Sequence, residues 1–259
     1  MNRINKVLAE KKDGVLSIFA TAGFPTLTST LTVLEELQNN GVDMIELGMP
    51  FSDPLADGPV IQNSSSVAIE NGMDLKTLFK QIEGFRKTIH VPVILMGYVN
   101  TVMQYGIERF CAKCEEVGID GVILPDLPFF EYQTTYKELF DQHGLINVFL
   151  ITPQTSQERI KILDEATKGF LYLVSSASTT GSTKVVGNVN DYLERIKGMN
   201  LASKQVVGFN IKDAASYQTA CKYSNGAIIG SAFVKAIDPN AGGTGDLKKD
   251  IKNFVSSIR

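Results

Sequence analysis

Short runs rich in β-branched and apolar residues recur along the whole chain, and their spacing limits the fold more than any other feature. They are VLSIFAT (15–21), DMIELGM (43–49), PVILMGY (92–98), DGVILP (120–125), INVFLIT (146–152), FLYLVSS (170–176), KQVVGF (204–209) and NGAIIGS (225–231). Between them lie amphipathic stretches long enough for helices, such as LTSTLTVLEELQNNG, DLKTLFKQIEGFRKT and IERFCAKCEEVG. Several end in Gly, which readily takes the left-handed backbone conformation that closes a helix. Strands that are apolar along nearly their whole length are buried on both faces, as in a parallel sheet. Eight such strand–helix units fill 259 residues with no linker or shift in composition. That arrangement predicts an α/β fold, a single (β/α)8 TIM barrel occupying residues 1–259 as one domain. A doubly wound open sheet is the alternative. Segment 2–11 reads as an extra N-terminal helix before the first strand.

Composition narrows the function classes. Apolar residues make up 44% and charged residues 20%, ordinary values for a globular protein. A formal net charge of −3, without any Lys/Arg cluster, argues against nucleic acid as a partner. The N-terminus, MNRINKVLAEKKDG, carries charges where a signal peptide has its apolar stretch, and no apolar run approaches membrane-spanning length, so a cytoplasmic address is expected. Cys111 and Cys114 have the C-x-x-C spacing of a redox pair or half a zinc site. They lie in a helical pattern with no second pair and no nearby His, so two semi-buried helix thiols are the expectation. Neither His90 nor His143 has the spacing of a metal ligand or a catalytic triad.

Barrel enzymes build their sites at the C-terminal strand ends, which makes the polar residues there the candidates. In DMIELGM, alternation puts Met44, Glu46 and Gly48 on one face and Ile45 and Leu47 on the other. Ile45 and Leu47 suit the outer helices, so Glu46 points into the barrel. A carboxyl there is desolvated and its pKa raised, which suits proton transfer near neutrality. A structural acid in an internal ion pair is the other reading. The loop that follows, PFSDPLADGP (50–59), holds Asp53 and Asp57. Turn formation alone explains D-P and D-G pairs, but this loop is longer than the usual two to six residues and suggests a mobile active-site element. Late in the chain, SASTTGSTKVV (176–186), GFNIKD (208–213) and IIGSAFVK (228–235) present Gly, Ser, Thr or Asn where helices begin. Backbone N–H groups at such positions bind phosphate.

The run DMIELGMPFSDPLADGPVIQ, from Asp43 to Gln62, resembles the signature of the tryptophan synthase α subunit family. LMGYVN (95–100), GVILPDLP (121–128), LYLVSSASTTG (171–181) and IIGSAFVKAI (228–237) are similar to the same family, in the same order. The resemblance implies the lyase half-reaction, a retro-aldol cleavage of indole-3-glycerol phosphate into indole and glyceraldehyde 3-phosphate. It implies Glu46 as the acid/base at the indole carbon and the side-chain hydroxyl, and Asp57 as the group that binds the indole N–H and stabilises the positive ring. Phe19 and Tyr172 would line the site, and Thr180, Gly181, Asn210, Gly230 and Ser231 would contribute to substrate and phosphate binding. No metal or organic cofactor is implied for this chain, since pyridoxal phosphate belongs to the partner β subunit of an α2β2 assembly. Pro50, Asp53, Asn100 and Pro128 match the family's interface segments, with the loops around Asp57 and Thr180 partly disordered until that partner docks. The sequence departs from the family pattern at Asn210, where Gly is common, and at Ser176 and Ser178, where Arg is common nearby.

Other barrel chemistries remain as alternatives: a free-standing lyase, another phosphate-binding lyase or isomerase, or a subunit that only activates a partner. A Schiff-base aldolase would need an inward strand lysine, and none is expected. A pure scaffold would have no need for a buried acid at Glu46.

Overall fold

The computed structural model describes residues 1–174, 189–208 and 210–259. Its strands are β1 (Val15–Thr21), β2 (Met44–Gly48), β3 (Val93–Met96), β4 (Gly121–Ile123), β5 (Ile146–Asn147), β6 (Phe149–Ile151), β7 (Phe170–Val174), β8 (Lys204–Gly208) and β9 (Gly226–Ile229). All pairings are parallel, in the order β5-β4-β3-β2-β1-β9-β8-β7-β6. The two ends of that order, β5 and β6, are halves of one strand separated only by Val148, so the sheet closes into a barrel with helices outside. INVFLIT reads as a single strand in the sequence. It divides because Ile146 and Asn147 pair with β4, whereas Phe149–Ile151 pair with β7.

Alternation along the strands sorts the side chains into two cores. Ile45 and Leu47 of β2 pack between the barrel and its helices. Met44 joins the interior set with Val15, Ile94, Ile123, Val148, Phe170, Val206 and Ile228. Glu46, sharing Met44's face, is thereby carried inside.

The N-terminal segment forms the helix Arg3–Glu10, with Asn2 as its cap, accepting from Ile4 N at 2.9 Å. Ile4 and Leu8 belong to the interior cluster, so this helix closes the barrel's floor. Asp120 locks it there: its buried carboxylate pairs with Arg3 at 3.0 Å and with Arg86, while its carbonyl accepts from Asn2 Nδ2 at 2.8 Å.

Two expectations need correction. Lys204 begins β8 on the same face as Val206, so one lysine does occupy an interior-facing register. It sits beside Phe170 at the N-terminal end of the barrel, opposite the end where barrel sites form, and so offers no Schiff-base group there. Cys111 and Cys114 are fully rather than partly buried, on the inner side of the helix Ile107–Val117. Burial pushes the Cys111 thiol up to about 12, far from a reactive thiolate. Among the described residues, no helix is long and apolar enough to cross a membrane, and no group of three or more His, Cys, Asp or Glu could hold a metal ion.

Candidate active site

Glu46 is fully buried inside the barrel. Its Oε1 accepts a hydrogen bond from Ser17 Oγ at 3.0 Å, and its buried Oε2 has no hydrogen-bond partner among the described residues. Removal from water pushes the carboxyl up to about 8, with the Ser17 hydrogen bond acting in the opposite direction. At neutral pH the resting group is therefore mostly the acid. The internal ion pair that could have accounted for a buried Glu is absent among the described residues.

Asp57 reaches the same end of the barrel from the loop between β2 and the helix Pro59–Glu70. Tyr98 Oη donates to Asp57 Oδ2 at 3.1 Å and accepts from Ala56 N at 2.9 Å. Gln62 Nε2 donates to the Asp57 carbonyl at 2.8 Å. The loop expected to await an outside partner is thus tied down within the chain. Burial pushes the Asp57 carboxyl up to about 6, opposed by the Tyr98 hydrogen bond, so it is mostly ionised at pH 7. The two acids rest in opposite protonation states, an arrangement suited to acid–base work.

Two aromatic side chains complete the walls, and each needs a missing side chain opposite. A Cβ on Gly208 would lie 2.2 Å from Tyr172 Oη, and one on Gly48 would lie 2.5 Å from Phe19 Cζ. The Tyr172 hydroxyl is held well above its ordinary range by burial, then by the charges of Glu46 and Asp57, which places it in the field of both. The open cleft has a volume of about 1390 Å³. Its lining combines apolar Phe19, Ile61, Met96 and Tyr172 with polar Asp57 and Ser231. Asn210 and Gly230 also line it. Asn210 has φ of 60°, a left-handed conformation that Asn tolerates better than most residues, so its departure from Gly keeps the backbone geometry. Ser231 opens the helix Ser231–Ile237, with Gly230 at its cap. Thr180, Gly181, Ser176 and Ser178 lie outside the described residues.

The proposed partner residues all follow the C-terminal ends of β2, β3 and β4. Asp53, Asn100 and Pro128 are exposed, and Pro50 is half-buried. Sequence reasoning missed the large apolar residues beside them, Leu55 at 83%, Met103 at 60% and Phe130 at 74% exposure. It also missed Ser17, Tyr98, Gly48 and Gly208. The period-two pattern that turned Glu46 inward applies equally to Ser17 and could have found it; LMGYVN contains Tyr98 but not its partner.

A family model described as tryptophan synthase alpha chain matches residues 5–258. The chain belongs to that family. The tryptophan synthase alpha chain of Flavobacterium psychrophilum is 52% identical over 259 residues, covering 100% of both chains. The crystal structure of the alpha chain from Legionella pneumophila is 31% identical with a TM-score of 0.86, covering 100% of this chain and 96% of that one. A chain of the tryptophan synthase complex from Pyrococcus furiosus is 34% identical with a TM-score of 0.82, covering 95% and 98%. Tryptophan synthase alpha chains perform the lyase half-reaction, cleaving indole-3-glycerol phosphate.

Proposed function

We propose that Glu46 and Asp57 carry the retro-aldol cleavage of indole-3-glycerol phosphate in this chain. The observation that bears most weight is the pair of acids whose charges both act on the buried Tyr172, Glu46 pushed up to about 8 and Asp57 to about 6. The bond from indole C3 to the hydroxyl-bearing carbon does not break until C3 is protonated, because only the positively charged indolenine can take up the electron pair of that bond. Protonated Glu46 gives its proton to C3, and the ring becomes a positively charged indolenine. The Asp57 carboxylate accepts the indole N–H and stabilises that charge as it forms. Glu46, now a carboxylate, takes the proton from the substrate hydroxyl. The C–C bond cleaves, its electron pair restores the aromatic ring, and glyceraldehyde 3-phosphate leaves with indole. The hydroxyl proton replaces the one given to C3, so Glu46 ends as it began.

Phe19 and Tyr172 are suited to the flat faces of the indole. Backbone N–H groups at Asn210, Gly230 and Ser231, together with Thr180 and Gly181, are assigned to the phosphate end. The chain acts as one catalytic unit over residues 1–259, in the cytoplasm, without its own metal or organic cofactor. Its partner is a β subunit that holds pyridoxal phosphate, in an α2β2 assembly. Docking is assigned to the face bearing Pro50, Asp53, Asn100 and Pro128, where exposed Leu55, Met103 and Phe130 offer apolar anchors.

The test is to mix the purified chain with indole-3-glycerol phosphate, without added metal or cofactor, and measure indole. Slow release is expected from the chain alone. Folded protein that yields no indole even with its β subunit present would remove the assignment.

A further inference from the structure

Ser17 is fully buried on β1 and turns to the barrel interior with Val15 and Phe19 on either side of it. A hydroxyl placed there is costly unless it is used. Its Oγ donates to Glu46 Oε1 at 3.0 Å, and that is the one side-chain hydrogen bond holding the carboxyl among the described residues. The two Glu46 oxygens are therefore unlike: Oε1 is engaged as an acceptor, and Oε2 has no partner among those residues.

We propose that Ser17 is a positioning residue of the reaction, fixing Oε1 as the accepting oxygen so that Oε2 carries the proton to and from the substrate. The proposal rests on Glu46 being the proton shuttle. Proton transfer needs the reacting oxygen within hydrogen-bond reach of the substrate atom. A carboxyl free to rotate would present the proton on either oxygen and in either direction. Pinning Oε1 removes that freedom at the cost of a single hydroxyl.

The same hydrogen bond favours the carboxylate over the acid, so it also sets where Glu46 titrates. Most of the side chains around Glu46 carry no charge and cannot titrate. Met44 and Gly48 share its strand, Ile94 and Met96 face it from β3, and Val206 and Ile228 come from β8 and β9. Among the described residues, the titratable groups at this end are Tyr172 from β7, Asp57 from the loop, Tyr98 on Asp57, and Lys212 and Lys235 in the cleft lining. Lys204 stands at the other end of the barrel.

The test is the pH profile of kcat/KM for indole formation by the assembled complex, in wild type, Ser17→Ala, Ser17→Thr and Glu46→Gln. Because the starting acid is required, activity falls as pH rises through the Glu46 pKa, giving an alkaline limb. Ser17→Ala removes the group that favours the carboxylate, so the limb should move up by about one pH unit, while kcat at neutral pH falls by about 10-fold. KM should stay within about 2-fold. Ser17→Thr keeps a hydroxyl on the same Cβ and should restore both limb and kcat. The Glu46 Cδ resonance, labelled with ¹³C and assigned by its loss in Glu46→Gln, should titrate at correspondingly higher pH in Ser17→Ala. An alkaline limb and a Cδ titration that do not move in folded Ser17→Ala overturn the role of Ser17, and so does a Thr variant as impaired as Ala. Near-normal turnover in Glu46→Gln instead removes the underlying assignment of Glu46, whatever Ser17 does.

Discussion

At the residue scale, chemistry follows from how two carboxyls of the same kind are solvated. Glu46 has lost all contact with water and keeps one weak compensation, whereas Asp57 keeps partial exposure and the Tyr98 hydroxyl. Desolvation raises both, but further for Glu46. The signs fix the pH dependence. In the proposed reaction Asp57 must be ionised, so activity should be lost as pH falls through about 6, and Glu46 must be protonated, so activity should be lost as pH rises through about 8. The kcat/KM profile for indole formation should be a bell with limbs near those values. A profile flat between pH 5 and pH 9 would contradict the assignment of both acids. Glu46 was legible in the sequence because period-two alternation turns it inward without knowledge of any neighbour. Tyr98 was not, because its contact with Asp57 joins positions 41 residues apart and exists only once β2 and β3 lie side by side.

At the scale of elements, the barrel is open at the bottom unless something fills it, and the helix Arg3–Glu10 does so with Ile4 and Leu8. The sequence announced a helix there, yet its amphipathic pattern does not say what its apolar side covers. Ile4 is fully buried against the floor of the interior core, so Ile4→Ala should cost about 2–5 kcal/mol in urea unfolding. The proposed site lies at the far end, and kcat should change by less than about 2-fold. A stability loss under about 1 kcal/mol would show that the helix only rests on the barrel. The division of INVFLIT into β5 and β6 was hidden for a similar reason: both halves read as strand, and only their different partners separate them. The loop at 50–59 stood out by its length and acids, but its anchorage by Tyr98 and Gln62 is tertiary.

Across the whole molecule, the segments that follow β2, β3 and β4 carry exposed Leu55, Met103 and Phe130 as well as exposed Asp53, Asn100 and Pro128. In the proposed docking mode, burying those segments against a β subunit would couple docking to the loop carrying Asp57, since Asp53 stands four residues before it. Titrating in the β subunit should raise indole formation at least ~10-fold, about 1.4 kcal/mol of barrier. Asp53→Ala should blunt that rise while leaving the isolated chain's activity nearly intact. Equal loss in both settings would place Asp53 in the chemistry instead. The exposure of Leu55, Met103 and Phe130 was not legible, because a large hydrophobic residue reads the same in sequence whether it folds inward or stays exposed. The most direct test is steady-state indole production by the complex with wild-type chain and with Glu46→Gln, which keeps size and removes the titratable proton. With Glu46 as the proton shuttle, kcat should be at least ~10²-fold lower in the variant, with KM changed by less than about 3-fold. Turnover within about 3-fold of wild type would contradict it and return Glu46 to a structural role.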